Sequence, residues 1–198
     1  TRRFTVTAVD ASLKPALASS IAKYHMTEFA RTIVNDAMDI HGGRGIQMGP
    51  RNYLAQGYIA IPISITVEGA NILTRNLILF GQGAVRCHPY LRDEMDAITK
   101  KDMVSLDKLL IEHFSYSFNN LLKTFSFAFG LGHFFVDTPI KELSYYYRQI
   151  SRLSAALALV TDFTLIILGG SLKRKERLSA RLGDVLSYLY MASSVVRY

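Results

Sequence analysis

The chain has 198 residues, of which 49% are hydrophobic and 20% charged, and its formal net charge is +7. This length accommodates one sizeable domain or two small helical bundles, and the composition is ordinary for a globular protein. The single cysteine, Cys87, excludes an internal disulfide and fits a reducing compartment. If the positive charge serves a partner, the candidates are nucleic acid, an anionic membrane surface and a phosphate-bearing ligand.

The first predicted element is a long amphipathic helix over residues 14–40. Pro15 suits its first turn, where the missing N–H costs nothing, and His41-Gly42-Gly43 is a sound helix stop. The apolar face repeats every three to five residues: Leu17, Ile21, Tyr24, Phe29, Ile33, Ala37 and Ile40. Residues 42–64 are predicted to be a loop rich in glycine and proline. The short alternation over 59–65 is the only strand candidate, and Pro62 interrupts it.

Helix is predicted again after Glu68 and ends near Pro89. Its apolar stripe is Leu73, Leu77, Phe80 and Ala84, and the run Gly81-Gln82-Gly83 weakens it, because each glycine costs about 1 kcal/mol against alanine. The charged residues 90–103 form the best boundary candidate, which predicts domains over 1–90 and 91–198.

The second half of the chain is predicted to be helical throughout. One helix opens at Ser105 and ends at Gly130-Leu131-Gly132, with the predicted core face Leu106, Leu110, Phe114, Leu121, Phe125 and Ala128. Thr138-Pro139 are predicted to begin the next helix, which runs to Gly169-Gly170. Ser171 can cap the last helix, whose predicted core stripe is Leu178, Leu182, Val185 and Leu189. The fold class is therefore all-α, a helical bundle followed by additional helices.

The segment between Arg152 and Lys173 carries one charge, Asp162, and has the length of a membrane span. Asp162, the terminal glycines and the polar residues within it favour a buried helix of a bundle instead. The basic cluster that follows (Lys173, Arg174, Lys175, Arg177 and Arg181) is either a solvated helix face or a surface that docks on anionic lipid.

Two stretches carry candidate chemistry. Glu68 follows an apolar, β-branched approach, so poor solvation would raise its pKa, whereas the start of a helix would lower it. The loop His41-Gly42-Gly43-Arg44-Gly45 can bring backbone N–H groups close to a phosphate, although such loops are commonly simple turns.

The remaining reactive side chains are predicted to be structural. Cys87 and His88 are adjacent in sequence, and adjacent residues seldom reach hydrogen-bond geometry with each other. The histidines, which are His25, His41, His88, His113 and His133, lack metal-ligand spacing, so no metal is predicted.

Together, these stretches resemble the acyl-CoA dehydrogenase family. The resemblance rests on Ser20-Ile21-Ala22-Lys23 early in a long helix, the Gly42-Gly43 motif at its end, and the Glu68-Gly69 motif before the next helix. The runs Thr66–Arg75 and Phe80–Pro89 are similar to the bacterial long-chain fatty acyl-CoA dehydrogenases of β-oxidation. The general family covers roughly residues 1–90, and residues 90–198 are similar to the extra helical region of the bacterial subgroup.

The resemblance implies an enzyme that converts fatty acyl-CoA to trans-2-enoyl-CoA with FAD. Glu68 is implied as the catalytic base, and the backbone N–H of Glu68 as a group that binds the thioester carbonyl of the substrate, with Gly69 beside it. Gly42 and Gly43, flanked by Ile40 and His41, are implied to touch the ADP part of FAD bound to a neighbouring subunit.

The implied partners are fatty acyl-CoA, electron-transfer flavoprotein and further copies of the chain. The basic cluster adds peripheral contact with an anionic membrane as a prediction, and no nucleic acid is predicted. The implied location is the cytoplasm, peripheral to the inner membrane. The chain begins at Thr1 and shows no flavin-binding β-domain, so we expect a fragment that is inactive and binds no FAD by itself.

The chain departs from the family pattern at three points. Ala70 stands where many members have a flavin-contacting threonine, an Arg-Asp pair near Gln56-Gly57-Tyr58 is missing, and the segment between the two motifs is about two residues longer than is common. An acyl-CoA oxidase and a non-catalytic helical interaction module remain as alternatives.

Overall fold

The computed structural model describes residues 2–134 and 136–197, with the side chain of His133 excepted, and 84% of the structure is helical. No strand occurs among these residues, so the all-α fold class is confirmed. The chain divides into two compact units, residues 2–75 and residues 76–197. The predicted domain boundary at residue 90 stays a prediction. Along the chain, the first unit ends at Arg75 and the second begins at Asn76.

The first unit is built on one long helix. Its helices are α1 (Arg2–Asp10), α2 (Ala16–His41), α3 (Gly43–Ile46), α4 (Ala55–Thr66) and α5 (Asn71–Leu73). α4 packs against α2, and the buried side chains of α2 are Ile21, Ala22 and His25. The predicted helix over 14–40 is confirmed, with Pro15 one residue before the first turn rather than within it.

The segment predicted to be a loop is largely helical. α4 covers the only strand candidate, and Pro62 lies inside this helix. The Oδ1 atom of Asn52 accepts hydrogen bonds from the N–H groups of Leu54 and Ala55, both at 3.1 Å, and so caps the start of α4. The sequence pattern misleads here because an apolar run of this length has no period that separates helix from strand.

A continuous helical run joins the two units. α5 is followed by a π-helical stretch (Thr74–Gln82) and then by α6 (Gly83–Cys87). The side chains of Leu79, Phe80 and Ala84 are buried in this run. A wide π-helical turn within an α-helical run often marks a functional region.

The second unit consists of helices that pack in sequence. Its remaining α-helices are α7 (Leu91–Lys100), α8 (Met103–Ala128), α9 (Ser144–Leu168) and α10 (Glu176–Val196). α7 packs on α8, α8 on α9 and α9 on α10. Short 3₁₀ turns precede α9 at Lys141–Leu143 and α10 at Gly169–Arg174. The charged segment predicted to be a connector is therefore mostly helix α7.

Several helix ends differ from the predictions. α8 begins at Met103, because Asp102 caps it: Asp102 accepts hydrogen bonds from the backbone N–H of Ser105 at 3.1 Å and from its hydroxyl at 2.6 Å. These bonds hold the pKa of Asp102 below its ordinary value. α9 begins after Thr138-Pro139, and Ser171 donates to the carbonyl oxygen of Leu168 at the end of α9 instead of capping the last helix.

The core of the second unit differs from the predicted stripes. Phe80, Ala84, Leu172 and Leu182 form a buried cluster. On α8, by contrast, Phe114 is 74% exposed although it lies on the predicted core face. α10 buries small residues, including Ser179, Ala180, Gly183 and Ser187, which allows neighbouring helices to approach closely.

The apolar segment that contains α9 is long and apolar enough to cross a membrane. This holds by length and composition alone, and core helices of soluble proteins meet the same criterion. Asp162 at its centre is buried among polar groups of the same unit, whereas Ile166 and Ile167 at its end are exposed.

Candidate functional site

Glu68 lies in a turn between α4 and α5 whose backbone is unusual. Glu68 has φ of +52° and Gly69 has φ of +90°. A glutamate rarely adopts the left-handed region, because its Cβ atom then crowds the backbone, and such residues cluster at functional sites. The Glu68 side chain is exposed in this chain, as is Val67 before it, so the poorly solvated environment expected from the sequence is not present here.

The turn is tied to α2 by Lys23. The Lys23 ammonium donates to the carbonyl oxygen of Gly69 at 2.8 Å, to Oδ1 of Asn71 at 2.7 Å and to the carbonyl oxygen of Ile65 at 3.4 Å. Ala70 follows the turn at the N-cap position of α5, and its carbonyl oxygen accepts a hydrogen bond from the N–H of Thr74 at 2.9 Å. The Glu68–Gly69 turn is therefore held on both sides.

The glycine loop follows the end of α2. Gly42 has φ of +53° and ψ of −127°, a conformation open mainly to glycine, and its N–H bonds back to Met38 and Asp39. At Gly45 a Cβ atom would lie 2.9 Å from the carbonyl oxygen of Met38, so α3 packs too closely on α2 to admit a larger residue. Nothing lies within 4 Å of a Cβ atom placed at Gly42 or Gly43, so the backbone there is open to a ligand.

The residues that flank the glycine loop differ in environment. Ile40 is 84% exposed at the end of α2. The Nε2 atom of His41 lies 2.8 Å from the hydroxyl of Tyr53, and the two rings meet edge to face. Arg44 is exposed beside the open backbone, where a guanidinium can pair with a phosphate.

The structure does not bring the two predicted motifs together within one chain. The Glu68 turn is anchored at Lys23, whereas the glycine loop follows His41 at the far end of the same helix. At 1.5 Å of rise per residue, these two points of α2 are about 27 Å apart. A ligand that contacts the glycine loop of one chain is thus far from Glu68 of that chain.

The second unit contains a buried polar cluster that the sequence did not predict. The Nε2 atom of His88 lies 2.8 Å from Oδ1 of Asp162, and the hydroxyl of Ser117 donates to Oδ2 of Asp162 at 2.5 Å. The Nδ1 atom of His113 lies 2.7 Å from Oε1 of Glu94, and its Nε2 atom lies 3.5 Å from Oδ1 of Asp162. The sequence does not predict this cluster, because its members come from four segments that are distant along the chain.

Hydrogen bonds assign the proton in the His88–Asp162 pair. The Nδ1 atom of His88 accepts from the N–H groups of Tyr90 and Leu91 at 3.2 and 3.3 Å, so Nε2 carries the hydrogen and donates to Asp162. Burial raises the pKa of Asp162, but hydrogen bonds from His88 and Ser117 and the nearby imidazoles outweigh burial and lower the pKa below its ordinary value.

His88, His113 and Asp162 place potential metal ligands within 4.8 Å of one another. Coordination of a metal through Nε2 of His88 would place the ring hydrogen on Nδ1, but two backbone N–H groups already point at Nδ1. His88 is therefore poorly suited to bind a metal. This leaves His113 and Asp162, fewer than the three protein ligands that a catalytic zinc site uses. That no metal binds stays a prediction, and the side chain of His133 lies outside what the structure describes.

Cys87 and His88 do not form a nucleophile pair in this arrangement, since His88 is engaged with Asp162. Partial desolvation raises the pKa of the Cys87 thiol above its ordinary value although the residue is exposed, and the charge of Arg86 acts in the opposite direction. A raised pKa keeps a thiol protonated and weakly nucleophilic. That both residues are structural stays a prediction.

Two family models match the chain. Residues 85–198 match the C-terminal region of acyl-CoA dehydrogenase of the bacterial type, and residues 2–81 match the general acyl-CoA dehydrogenase C-terminal domain. No solved structure matches the chain. The first model alone spans more than half of the chain, and the two models follow each other in the order that the sequence resemblance implies. The chain therefore belongs to the acyl-CoA dehydrogenase family and represents its C-terminal, helical part.

Proposed function

We propose that this chain is the C-terminal part of a FAD-dependent dehydrogenase that oxidises long-chain fatty acyl-CoA to trans-2-enoyl-CoA in β-oxidation. The family consists of oxidoreductases that act on acyl-CoA, which supports the reaction class. The observation that carries the proposal is the Glu68–Gly69 turn, in which a glutamate adopts a left-handed backbone and is anchored through Lys23.

In the proposed mechanism Glu68 is the base. Its carboxylate takes the proton from the α-carbon of the thioester, and the N–H of Glu68 binds the thioester carbonyl, which stabilises the charge that develops on that oxygen. FAD, when bound, would supply the acceptor for the hydride that leaves the β-carbon. The electron pair of the broken α-C–H bond then forms the double bond of the enoyl product. Ala70 would lie beside the flavin but offers no hydroxyl to it.

The glycine loop fits the diphosphate end of FAD. The backbone of Gly42 and Gly43 is open, and Arg44 supplies a positive charge next to it. Because this loop follows the end of α2, whereas the Glu68 turn is anchored about 27 Å away at Lys23, we propose that Gly42 and Gly43, with Ile40 and His41 beside them, contact the FAD of a neighbouring subunit. Homo-oligomerisation is general in this family, and this arrangement would make it necessary for the reaction.

We further propose electron-transfer flavoprotein as the electron acceptor and the cytoplasm as the location, peripheral to the inner membrane. The exposed basic residues Lys173, Arg174, Lys175 and Arg177 support contact with anionic lipid rather than nucleic acid. They directly follow the exposed apolar end of α9, and this pairing suits a membrane surface.

The decisive experiment replaces the base in the flavoprotein that contains this chain. Anaerobic mixing of Glu68→Gln with palmitoyl-CoA should bleach the flavin at least about 10³-fold more slowly than wild type, since the amide cannot accept the proton. Glu142→Gln, at an exposed position of the second unit, is the matched control and should bleach normally. Wild-type bleaching by Glu68→Gln would overturn the proposal.

Two alternatives have their own readouts. An acyl-CoA oxidase would share the Glu68 base but would form hydrogen peroxide stoichiometrically with enoyl-CoA under air. A non-catalytic helical module would show no flavin reduction even in the complete flavoprotein. Transfer of electrons to electron-transfer flavoprotein without peroxide is the result expected for the dehydrogenase.

A further inference from the structure

We infer that Lys23 is a positioning residue for the proposed reaction: it holds the Glu68–Gly69 turn in the conformation that directs the Glu68 carboxylate. The inference rests on the proposed function, because it assumes that Glu68 is the base. The role of Lys23 is inferred from the hydrogen bonds around the turn.

The three hydrogens of the Lys23 ammonium have acceptors on both sides of Glu68. Ile65 lies in the last turn of α4, before Glu68, whereas Gly69 and Asn71 lie after it. An ammonium group has three donors and no acceptor. Lys23 therefore joins the end of α4 to the start of α5 and spans the turn between them.

A second connection fixes the same turn through Asn71, which is 3% exposed. While its Oδ1 atom accepts from Lys23, its Nδ2 group donates to Oγ1 of Thr27 at 2.8 Å and to Oε1 of Glu28 at 2.7 Å. Lys23 and Thr27 lie one turn apart on α2. The start of α5 is thus bound to two successive turns of the longest helix in this unit.

These bonds matter because the conformation of Glu68 is costly by itself. A left-handed backbone is unfavourable for a non-glycine residue and persists where its surroundings hold it. If the backbone of Glu68 relaxed to negative φ, its side chain would point in a different direction and its N–H would turn away. A displacement of about 1 Å at a reacting group can cost about 10²-fold in rate.

Lys23 is partly buried, and its hydrogens are used by backbone carbonyls and an amide oxygen. It therefore acts through the turn and does not need to contact the substrate. A positioning role predicts a loss in the rate of the chemical step with little change in substrate affinity. A role in substrate binding predicts weaker substrate affinity with little change in the rate of the chemical step.

The test uses the flavoprotein that contains this chain and measures flavin bleaching by palmitoyl-CoA in anaerobic stopped flow. Lys23→Met should lower the saturating rate about 10²-fold and leave the apparent dissociation constant within about threefold of wild type. Lys23→Arg should recover most of the rate, because a guanidinium can donate to the same carbonyls. Lys14→Met, which removes the same charge at an exposed position of the same unit, should match wild type.

A saturating rate of Lys23→Met equal to that of Lys14→Met would overturn the inference, whatever the melting temperature. If Lys23→Met does not fold, Asn71→Ser removes the second connection and should lower the same rate at unchanged affinity. An unchanged rate there would likewise overturn it. Glu68→Gln separates the two levels: wild-type bleaching by that variant rejects the proposed function, whereas an inactive Glu68→Gln with a fully active Lys23→Met rejects only the role of Lys23.

Discussion

At the residue scale, Asp162 of α9 is linked to His88 before α7 and to two residues of α8, Ser117 and His113. It is 4% exposed, and it accepts hydrogen bonds from His88 and from Ser117. A buried carboxylate is tolerated only when hydrogen bonds and opposite charge compensate for lost solvation. In this unit they more than compensate, and the pKa of Asp162 is lowered.

Asp162→Asn should destabilise the chain by about 2 kcal/mol, because the amide cannot accept hydrogen bonds on both atoms. The pKa of Asp162 is lower in the folded chain than in the unfolded chain, so folding favours the carboxylate. Its stabilisation is present above about pH 4 and is lost as pH falls through the folded pKa. Urea unfolding of wild type and Asp162→Asn between pH 7 and pH 3 measures this effect, and the difference between them should shrink towards acid pH.

Asp107→Asn, at an exposed position of α8, is the control for loss of one carboxylate and should leave stability nearly unchanged. A constant difference between wild type and Asp162→Asn across this pH range would contradict the expectation for Asp162.

The backbone conformation of Glu68 bears on both of its proposed roles. The φ of +52° at Glu68 sets the directions of its side chain and its N–H, and Gly69 after it also has a positive φ. The proposed base and the proposed thioester donor are the same residue. The geometry of this turn is therefore more informative about its role than the exposure of the side chain.

At the scale of elements, the end of α9 combines two kinds of surface. Ile166 and Ile167 are exposed at the end of the helix, and a basic 3₁₀ turn follows at Gly169–Arg174. Apolar side chains next to exposed lysine and arginine are typical of helices that dock on anionic membranes. From the sequence alone, the same basic residues could also form a solvated helix face.

The chain should bind vesicles that contain phosphatidylserine, and raised salt should weaken this binding. Replacing Lys173, Arg174, Lys175 and Arg177 with glutamine should weaken it about fivefold per charge removed. Co-sedimentation with vesicles measures the effect. The control removes the same number of charges from exposed positions of α7, α8 and their connection (Arg92, Lys100, Lys101 and Lys108). Equal binding to neutral vesicles, or equal weakening by the control, would reject the electrostatic contact.

At the scale of the whole molecule, the separation of the two motifs along α2 is the decisive feature. About 27 Å of helix separates Lys23, which anchors the Glu68 turn, from His41, which precedes the glycine loop. The proposed function therefore requires that each FAD be contacted by residues from more than one chain. Under this proposal, one copy of the C-terminal part would hold parts of two sites and the whole of neither.

The purified chain should consequently retain no flavin. After incubation with FAD and gel filtration, we expect no absorbance near the flavin maximum of about 450 nm in the protein peak, because diphosphate contacts at the glycine loop alone give weak binding. The flavoprotein that contains this chain serves as the positive control and should stay yellow. Stoichiometric flavin bound to the chain alone would contradict the proposed division of the site between subunits.

Part of this structure follows directly from local sequence pattern. The long α2, the helical run after Glu68 and the all-α class follow from apolar periodicity and glycine stops, which act through neighbours a few residues apart. The helical α4 was missed because its apolar run has no distinguishing period and contains Pro62. The exposed face of α8 was misjudged because periodicity identifies an apolar face but not what covers it.

The sequence by itself determined the family and the order of the two motifs, and it indicated the residue now proposed as the base, because these depend on which side chains occur at which spacing. Only the tertiary structure decided that Lys23 and Asn71 hold the Glu68 turn, that this turn is therefore anchored on α2 away from the glycine loop, and that His88 and Asp162 pair. Each of these relations joins residues more than 15 positions apart. Their contact depends on how helices pack, and no local pattern encodes it.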